Sequence, residues 1–132
     1  MRYLNANVFI YAALYSGKKA DHAREILKEM VEGKGAITST LTIDEVVWVV
    51  WKESNREKAI KEGVRLLELP NLKVLSVDVG DTYLALNLMN KYQKLNPRDA
   101  IHLAVSLRAG VYRIISDDSD FDEVGEIVRE RL

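Results

Sequence analysis

The chain has 132 residues, 48% hydrophobic and 30% charged, the size and mixture of one globular domain with a sizeable core. Its net charge of -1 gives no basic footprint of a nucleic-acid-binding module, and the absence of cysteine rules out disulfides, thiolate zinc sites and cysteine nucleophiles together. No apolar run approaches membrane-span length, and Met1 leads straight into a strand-like run without signal-peptide anatomy, so a soluble cytoplasmic protein is expected.

Met1 to Leu4 reads as a short buried strand, Asn5-Ala6-Asn7 as a turn and Val8 to Tyr15 as a short helix. After a turn at Ser16-Gly17-Lys18-Lys19, Asp21 to Glu32 repeats apolar residues at helical spacing and stops at Gly33 and Gly35. Ala36-Ile37-Thr38 fits a second strand. The next stretch, Ile43 to about Glu53 with Thr40 or Thr42 as cap, contains the β-branched run Val46-Val47-Trp48-Val49-Val50-Trp51. The β–α rhythm still favours helix, since packing overrides a weak propensity. Arg56 to Leu67 is amphipathic and ends at Pro70 and Asn71; Lys73 to Val77 is a third strand and Asp81 to Leu95 a long helix. Pro97 suits a helix's first turn and opens one that runs to Gly110. Arg113 to Ile115 is a fourth strand and Gly125 to Val128 a short fifth. Strands alternating with helices give an α/β fold: a central parallel sheet of four to five strands between helical layers, in a single domain spanning 1–132.

In such a sheet, sites form beyond the carboxyl ends of strands near the switch in strand order. Four polar groups fall there: Asn5 and Asn7 after the first strand, Asp44 and Glu45 after the second, Asp99 at the mouth of the apolar helix, and Asp117, Asp118, Asp120 and Asp122 after the fourth. Gathered carboxylates repel unless a cation relieves them. Mg²⁺ or Mn²⁺ suits one or two such groups while keeping waters, and two histidines without cysteine disfavour zinc. Each residue also has a plainer explanation. Asp99 fits an N-terminal cap, Glu45 a capping arrangement with Thr42, and the aspartate-rich loop a turn. His102 fits a core histidine, the Trp48/Trp51 pair a core or dimer face, and Asp44 a residue turned away from Glu45.

In this order, Tyr3-Leu4-Asn5-Ala6-Asn7-Val8-Phe9-Ile10, Pro97-Arg98-Asp99-Ala100-Ile101-His102-Leu103-Ala104 and Ser116-Asp117-Asp118-Ser119-Asp120-Phe121 resemble PIN-domain proteins, specifically the VapC-like ribonuclease toxins. The resemblance runs from Met1 to about Val128 and implies a PIN-like three-layer α/β/α sandwich. It implies divalent-metal-dependent RNA cleavage, a small antitoxin partner and a homodimer. By the same resemblance Glu45, Asp99 and Asp118 hold Mg²⁺ or Mn²⁺, with Asp120 in support and Asp117 the competitor for the fourth acidic position. Asn7 orients the first-strand residue, Ser39 or Thr38 sits at the rim, and Ser116 opens the acidic loop.

Asn5 departs from the family, which carries aspartate there. Asparagine keeps the shape, loses a charge and presents an NH₂ group that only donates. The chain is then a weakened or dead member, a deliberately tamed one, or an enzyme that ligates through the amide oxygen. The full set of remaining acids favours the tamed version. The alternative is a non-catalytic PIN-like domain whose acidic pocket binds a basic peptide, since an arginine fork pairs with carboxylates bidentately. A phosphatase-like or response-regulator-like domain is disfavoured, because no phosphoacceptor aspartate follows the first strand. The all-round apolar helix at Val46–Trp51 is either wholly buried or leaves a patch for a second copy.

Overall fold

In the computed structural model, which describes residues 1–132, β1 (Tyr3–Leu4), β2 (Ala36–Ser39), β3 (Leu72–Leu75), β4 (Arg113–Ile115) and β5 (Val128–Glu130) form one parallel sheet in the order β3-β2-β1-β4-β5. The helices are α1 (Ala6–Leu14), α2 (Lys18–Glu29), α3 (Thr40–Glu53), α4 (Arg56–Leu67), α5 (Val79–Lys91) and α6 (Pro97–Arg108). Side chains alternate across the sheet with the period of two that a strand imposes. Tyr3, Ile37 and Ile114 pack with α5 and α6 on one face, whereas Leu4, Ala36 and Ile115 pack with α1 to α4 on the other. Both faces are covered at the centre of the sheet, where β1 and β2 are buried at every residue.

Several boundaries differ from expectation, each for a local reason. The turn expected at Asn5–Asn7 shrinks to one residue: Asn5 caps α1 directly, its Oδ1 accepting from the Ala6 N–H at 2.8 Å. Helix α2 begins at Lys18, where Gly17 (φ 105°) supplies the sharp entry, and gives way after Glu29 to a wider turn over Met30–Lys34. There Gly33 takes φ 129°, a conformation open mainly to glycine, and hands the chain to β2. The residue before α3 is Ser39, and it makes no side-chain cap bond; neither Thr40 nor Thr42 is the cap. The Thr42 hydroxyl is instead buried against that of Thr38 at 2.7 Å. Asp78 and Asp81 form a reciprocal capping box that starts α5 two residues early, and the helix ends at Lys91 rather than Leu95. Strand β3 sits at Leu72–Leu75 and β5 at Val128–Glu130, one to three residues away from the propensity-based positions. The β-branched stretch of α3 is helical. Val46 and Val50 face the core, while Trp48 (54% exposed) and Trp51 (47%) do not, which overturns a core role for the tryptophans and the wholly buried helix.

No helix is long and apolar enough to cross a membrane.

Candidate metal centre

The strand order reverses between β1 and β4, so their carboxyl ends leave a crevice at the switch point. Leu4 pairs with Ile115, and the next residues out, Asn5 and Ser116, stand side by side. Asn5 Nδ2 donates to Ser116 Oγ at 3.0 Å, and Asn7 Nδ2 reaches the same oxygen at 3.4 Å. Both ends of the Asn5 amide are therefore engaged within the protein. Asn7 Oδ1, by contrast, is buried without a partner, an open acceptor in a place where polar atoms are ordinarily satisfied. Ser116 Oγ also accepts from the Asp118 backbone N–H at 3.0 Å, which fixes the start of the acidic loop.

Helix α6 brings Asp99 to this loop. Asn96 is its cap, accepting from the Asp99 N–H at 2.9 Å and donating to Asp99 Oδ2 at 3.1 Å. Asp99 itself is not the cap, and its carboxylate is free to face outward from the first turn. Oxygens of Asp99, Asp118 and Asp120 all lie within 4.8 Å of one another. Burial, then the hydrogen bond and charge of Asp118, then Glu45 and Asp120, push the Asp99 carboxyl up to about 8. Asp118 is held low, first by its hydrogen bond with Asp99. Of the two, Asp99 is the carboxyl pushed up and Asp118 the one held low. Asp117 turns the other way, toward Lys19 Nζ at 2.8 Å and Tyr11 Oη at 3.4 Å. Asp122 pairs with Arg129 at 2.6 Å.

Glu45, on the second turn of α3, stands outside the group of Asp99, Asp118 and Asp120, close enough for its charge to act on Asp99, and is fixed from below. Its Oε1 is hydrogen-bonded to His102 Nε2, while His102 Nδ1 lies 2.6 Å from Tyr3 Oη and that oxygen 2.8 Å from Ser39 Oγ. A carboxylate only accepts, so Nε2 carries the proton, and in the neutral ring Nδ1 accepts from the Tyr3 hydroxyl. Burial pushes the Tyr3 hydroxyl up to about 12, keeping it protonated. Ser39 and Thr38 are wholly buried, not at the rim as expected. They belong to this network beneath the site, with the Thr38 hydroxyl donating to the Leu4 carbonyl at 2.7 Å. Asp44 is exposed on the adjacent face of α3.

Sequence reasoning missed Arg129, whose guanidinium donates to the Ser116 carbonyl at 3.0 Å and braces the acidic loop from β5. Its signal was an arginine on the strand that follows an aspartate-rich loop. It also missed Tyr3, whose hydroxyl role is invisible without knowing which residues the sheet brings together.

These residues lie on a fold with known relatives. The PIN domain family model matches residues 2–127. The chain belongs to the PIN domain family. Among solved structures, this PIN domain is similar to Mycobacterium tuberculosis VapC20, a Sarcin-Ricin loop cleaving toxin, at 14% identity, with 95% of each chain covered and a TM-score of 0.80. It is similar to VapBC2 from Rickettsia felis bound to a promoter DNA fragment, at 15% identity, 99% and 98% coverage and a TM-score of 0.76. It is also similar to FitAcB from Neisseria gonorrhoeae, at 16% identity, 98% and 96% coverage and a TM-score of 0.72. No curated protein sequence matches. At such identities the likeness carries the fold, and the chemistry has to be argued from the site. For the divalent cation that PIN nucleases imply, the donor set fits. It is all oxygen, it includes a carboxyl that burial and neighbouring carboxylates push up, and an unsatisfied amide oxygen lies next to Ser116 at the start of the acidic loop.

Proposed function

We propose that this PIN domain is a divalent-metal-dependent endoribonuclease, the toxin of a toxin–antitoxin pair, weakened by asparagine at position 5. The observation that carries the reading is the convergence of the Asp99, Asp118 and Asp120 carboxylates at the switch point, so crowded that one keeps its proton near neutral pH. Glu45, Asp99 and Asp118 would hold Mg²⁺ or Mn²⁺, with Asp120 supporting and Asn5 offering only a neutral amide oxygen. When bound, the ion supplies charge neutralisation at the scissile phosphodiester and lowers the pKa of a coordinated water.

The chain's own residues do the rest. Glu45 is oriented by His102 and Tyr3, Ser116 fixes Asn5 and the turn into Asp118, and Arg129 holds the loop against β5. Asn7 keeps an acceptor open beside Ser116, Ser39 packs beneath Tyr3, and Asp117, tied to Lys19, flanks the loop. The expected partners are an RNA substrate, a small antitoxin and a second copy of the chain. Solved relatives include VapBC from Rickettsia felis on promoter DNA and a toxin-antitoxin complex from Klebsiella pneumoniae, which supports the antitoxin. A second reading, a non-catalytic domain that takes a basic peptide into the acidic pocket, is favoured by Asn5 alone, because both ends of its amide are already bonded.

Asn5→Asp separates the two. Aspartate at this position still accepts from the Ala6 N–H, while the Ser116 bond reverses so that the hydroxyl donates. Added charge in a partly buried site should tighten Mn²⁺ by roughly tenfold. Calorimetry with Mn²⁺ and cleavage of single-stranded RNA are expected to improve together, and Asp99→Asn to abolish both. If Asn5→Asp binds no Mn²⁺ and cuts no RNA, yet an arginine-rich peptide binds, the nuclease reading fails.

A further inference from the structure

Beside the acidic crevice, an open groove of about 460 Å³ runs between α1 and α3 to the start of α6, with Ile10, Glu45, Trp48, Val49, Lys52 and Arg98 among its walls. Trp48 and Lys52 follow Glu45 along one side of α3, and Lys52 stands about 10 Å further along the helix axis. The arrangement is unusual in three ways. Trp48 is a large apolar ring left 54% exposed. Its orientation is fixed nonetheless, edge-to-face against Trp51 with centroids 5.9 Å apart and planes at 85°. Finally, the ion pairs of the fold use neither Lys52 nor Arg98. Lys52 Nζ instead lies over the Trp48 ring, 5.6 Å from its centroid.

We propose that this groove is the track of a single-stranded RNA substrate, in which a base next to the scissile phosphodiester stacks on Trp48 while Lys52 and Arg98 take its flanking phosphates. The inference rests on the nuclease reading and adds the strand's path to it. An exposed flat ring stacks any base, and a base arriving on the face that Lys52 covers displaces its ammonium to a phosphate. The two unpaired cations favour a polyanion over a basic antitoxin segment, which they would repel. Asp44 and Glu45 lie at the end nearest the crevice, whereas the anchoring contacts at Trp48, Lys52 and Arg98 need no cation. A strand running from Glu45 toward Lys52 therefore goes from the cutting site to the anchoring site.

The test uses the whole protein in chelator with a 2′-O-methyl single-stranded oligoribonucleotide of roughly ten nucleotides, within the site size of such binders. Binding is thereby read apart from metal and cleavage. In a Trp51→Phe background, the oligonucleotide should quench the remaining Trp48 fluorescence. Trp48→Ala should weaken binding roughly tenfold, and Trp48→Phe should largely restore it. Lys52→Ala should flatten the dependence of log affinity on log salt by about 0.7, one phosphate contact of a single strand. Trp48 is on the surface, and circular dichroism checks that its variants fold. Unquenched Trp48, or unchanged affinity in Trp48→Ala, overturns the proposal even if Asp99-dependent RNA cleavage is intact. Quenching by an arginine-rich peptide but not by the oligonucleotide assigns the groove to a protein partner and overturns it too. Quenching with the full variant pattern supports the track even where Mn²⁺-dependent cleavage proves absent.

Discussion

Asp99 occupies the third helical position of α6, where the N-terminal dipole should draw its proton away. That effect is worth roughly 0.3–1 kcal/mol, less than the ~1.4 kcal/mol of one pKa unit. Burial and the three neighbouring carboxylates win, and the group is raised to about 8. The consequence for stability has a definite sign. A carboxyl raised in the folded state makes the native protein bind more protons than the unfolded chain between the ordinary aspartate range and about pH 8, so stability falls as pH rises through that window. Asp118, held low, acts only below its ordinary range and leaves this window alone. In chelator, the urea midpoint is expected to be lower at pH 8.5 than at pH 5, and Asp99→Asn should remove most of that difference. An equal slope in the variant would show that the proton sits elsewhere. Mn²⁺ replaces the proton, so its stabilising effect should grow toward pH 8.5. The sequence made Asp99 conspicuous through Pro97 and the apolar helix behind it. It left Asp117 and Asp118 as competitors, because only the Ser116–Asp118 turn decides which carboxylate faces Asp99.

At the scale of elements, the alternation of strands and helices was legible because Tyr3–Leu4, Ala36–Ile37, Val74–Leu75 and Ile114–Ile115 are short apolar runs and α2 and α4 are strongly amphipathic. Arg56–Leu67 and Arg113–Ile115 appear within their expected limits. What was hidden is set by contacts distant in sequence. Glu45 meets His102 across 57 residues and Tyr3 meets His102 across 99, so a core histidine and a candidate ligand could not be recognised as partners. Nor did the sequence show which side of α3 faces solvent, since both sides of Val46–Trp51 are apolar. The packing of α4 decides it. Gly63 lies against α3 so closely that a Cβ there would stand 2.8 Å from Val47 Cγ2 and 3.7 Å from Ile43 Cγ2. Gly63→Ala gains about 1 kcal/mol of helix propensity and loses about 1–3 kcal/mol to overpacking against a stiff β-branched side chain. A net loss of about 1 kcal/mol is expected in urea denaturation, partly recovered when Val47→Ala is added. A stabilised Gly63→Ala would mean the two helices can part at no cost.

At the scale of the whole molecule, the core does not cover every apolar side chain. Val79, Tyr83 (72% exposed) and Leu86 line one stripe of α5, and Trp51 stands out on α3. Single exposed hydrophobics are ordinary, but a stripe of three on one helix face is the kind of surface that self-association buries. Symmetric pairing places the same patch of each copy against the other, and either α5 or the Trp51 end of α3 would serve. Position along the fold separates these faces by function. The Trp51 end adjoins the groove beside Glu45, so pairing there would bring two crevices close together. The α5 stripe belongs to the opposite helical layer and would leave each groove open. Sedimentation across a range of concentrations is expected to show a dimer in equilibrium with the monomer. Tyr83→Glu should shift that equilibrium to monomer if α5 is the seam, and Trp51→Glu if α3 is. A monomer at every concentration would remove the homodimer, and the proposed substrate would then have to be gripped by one PIN domain alone.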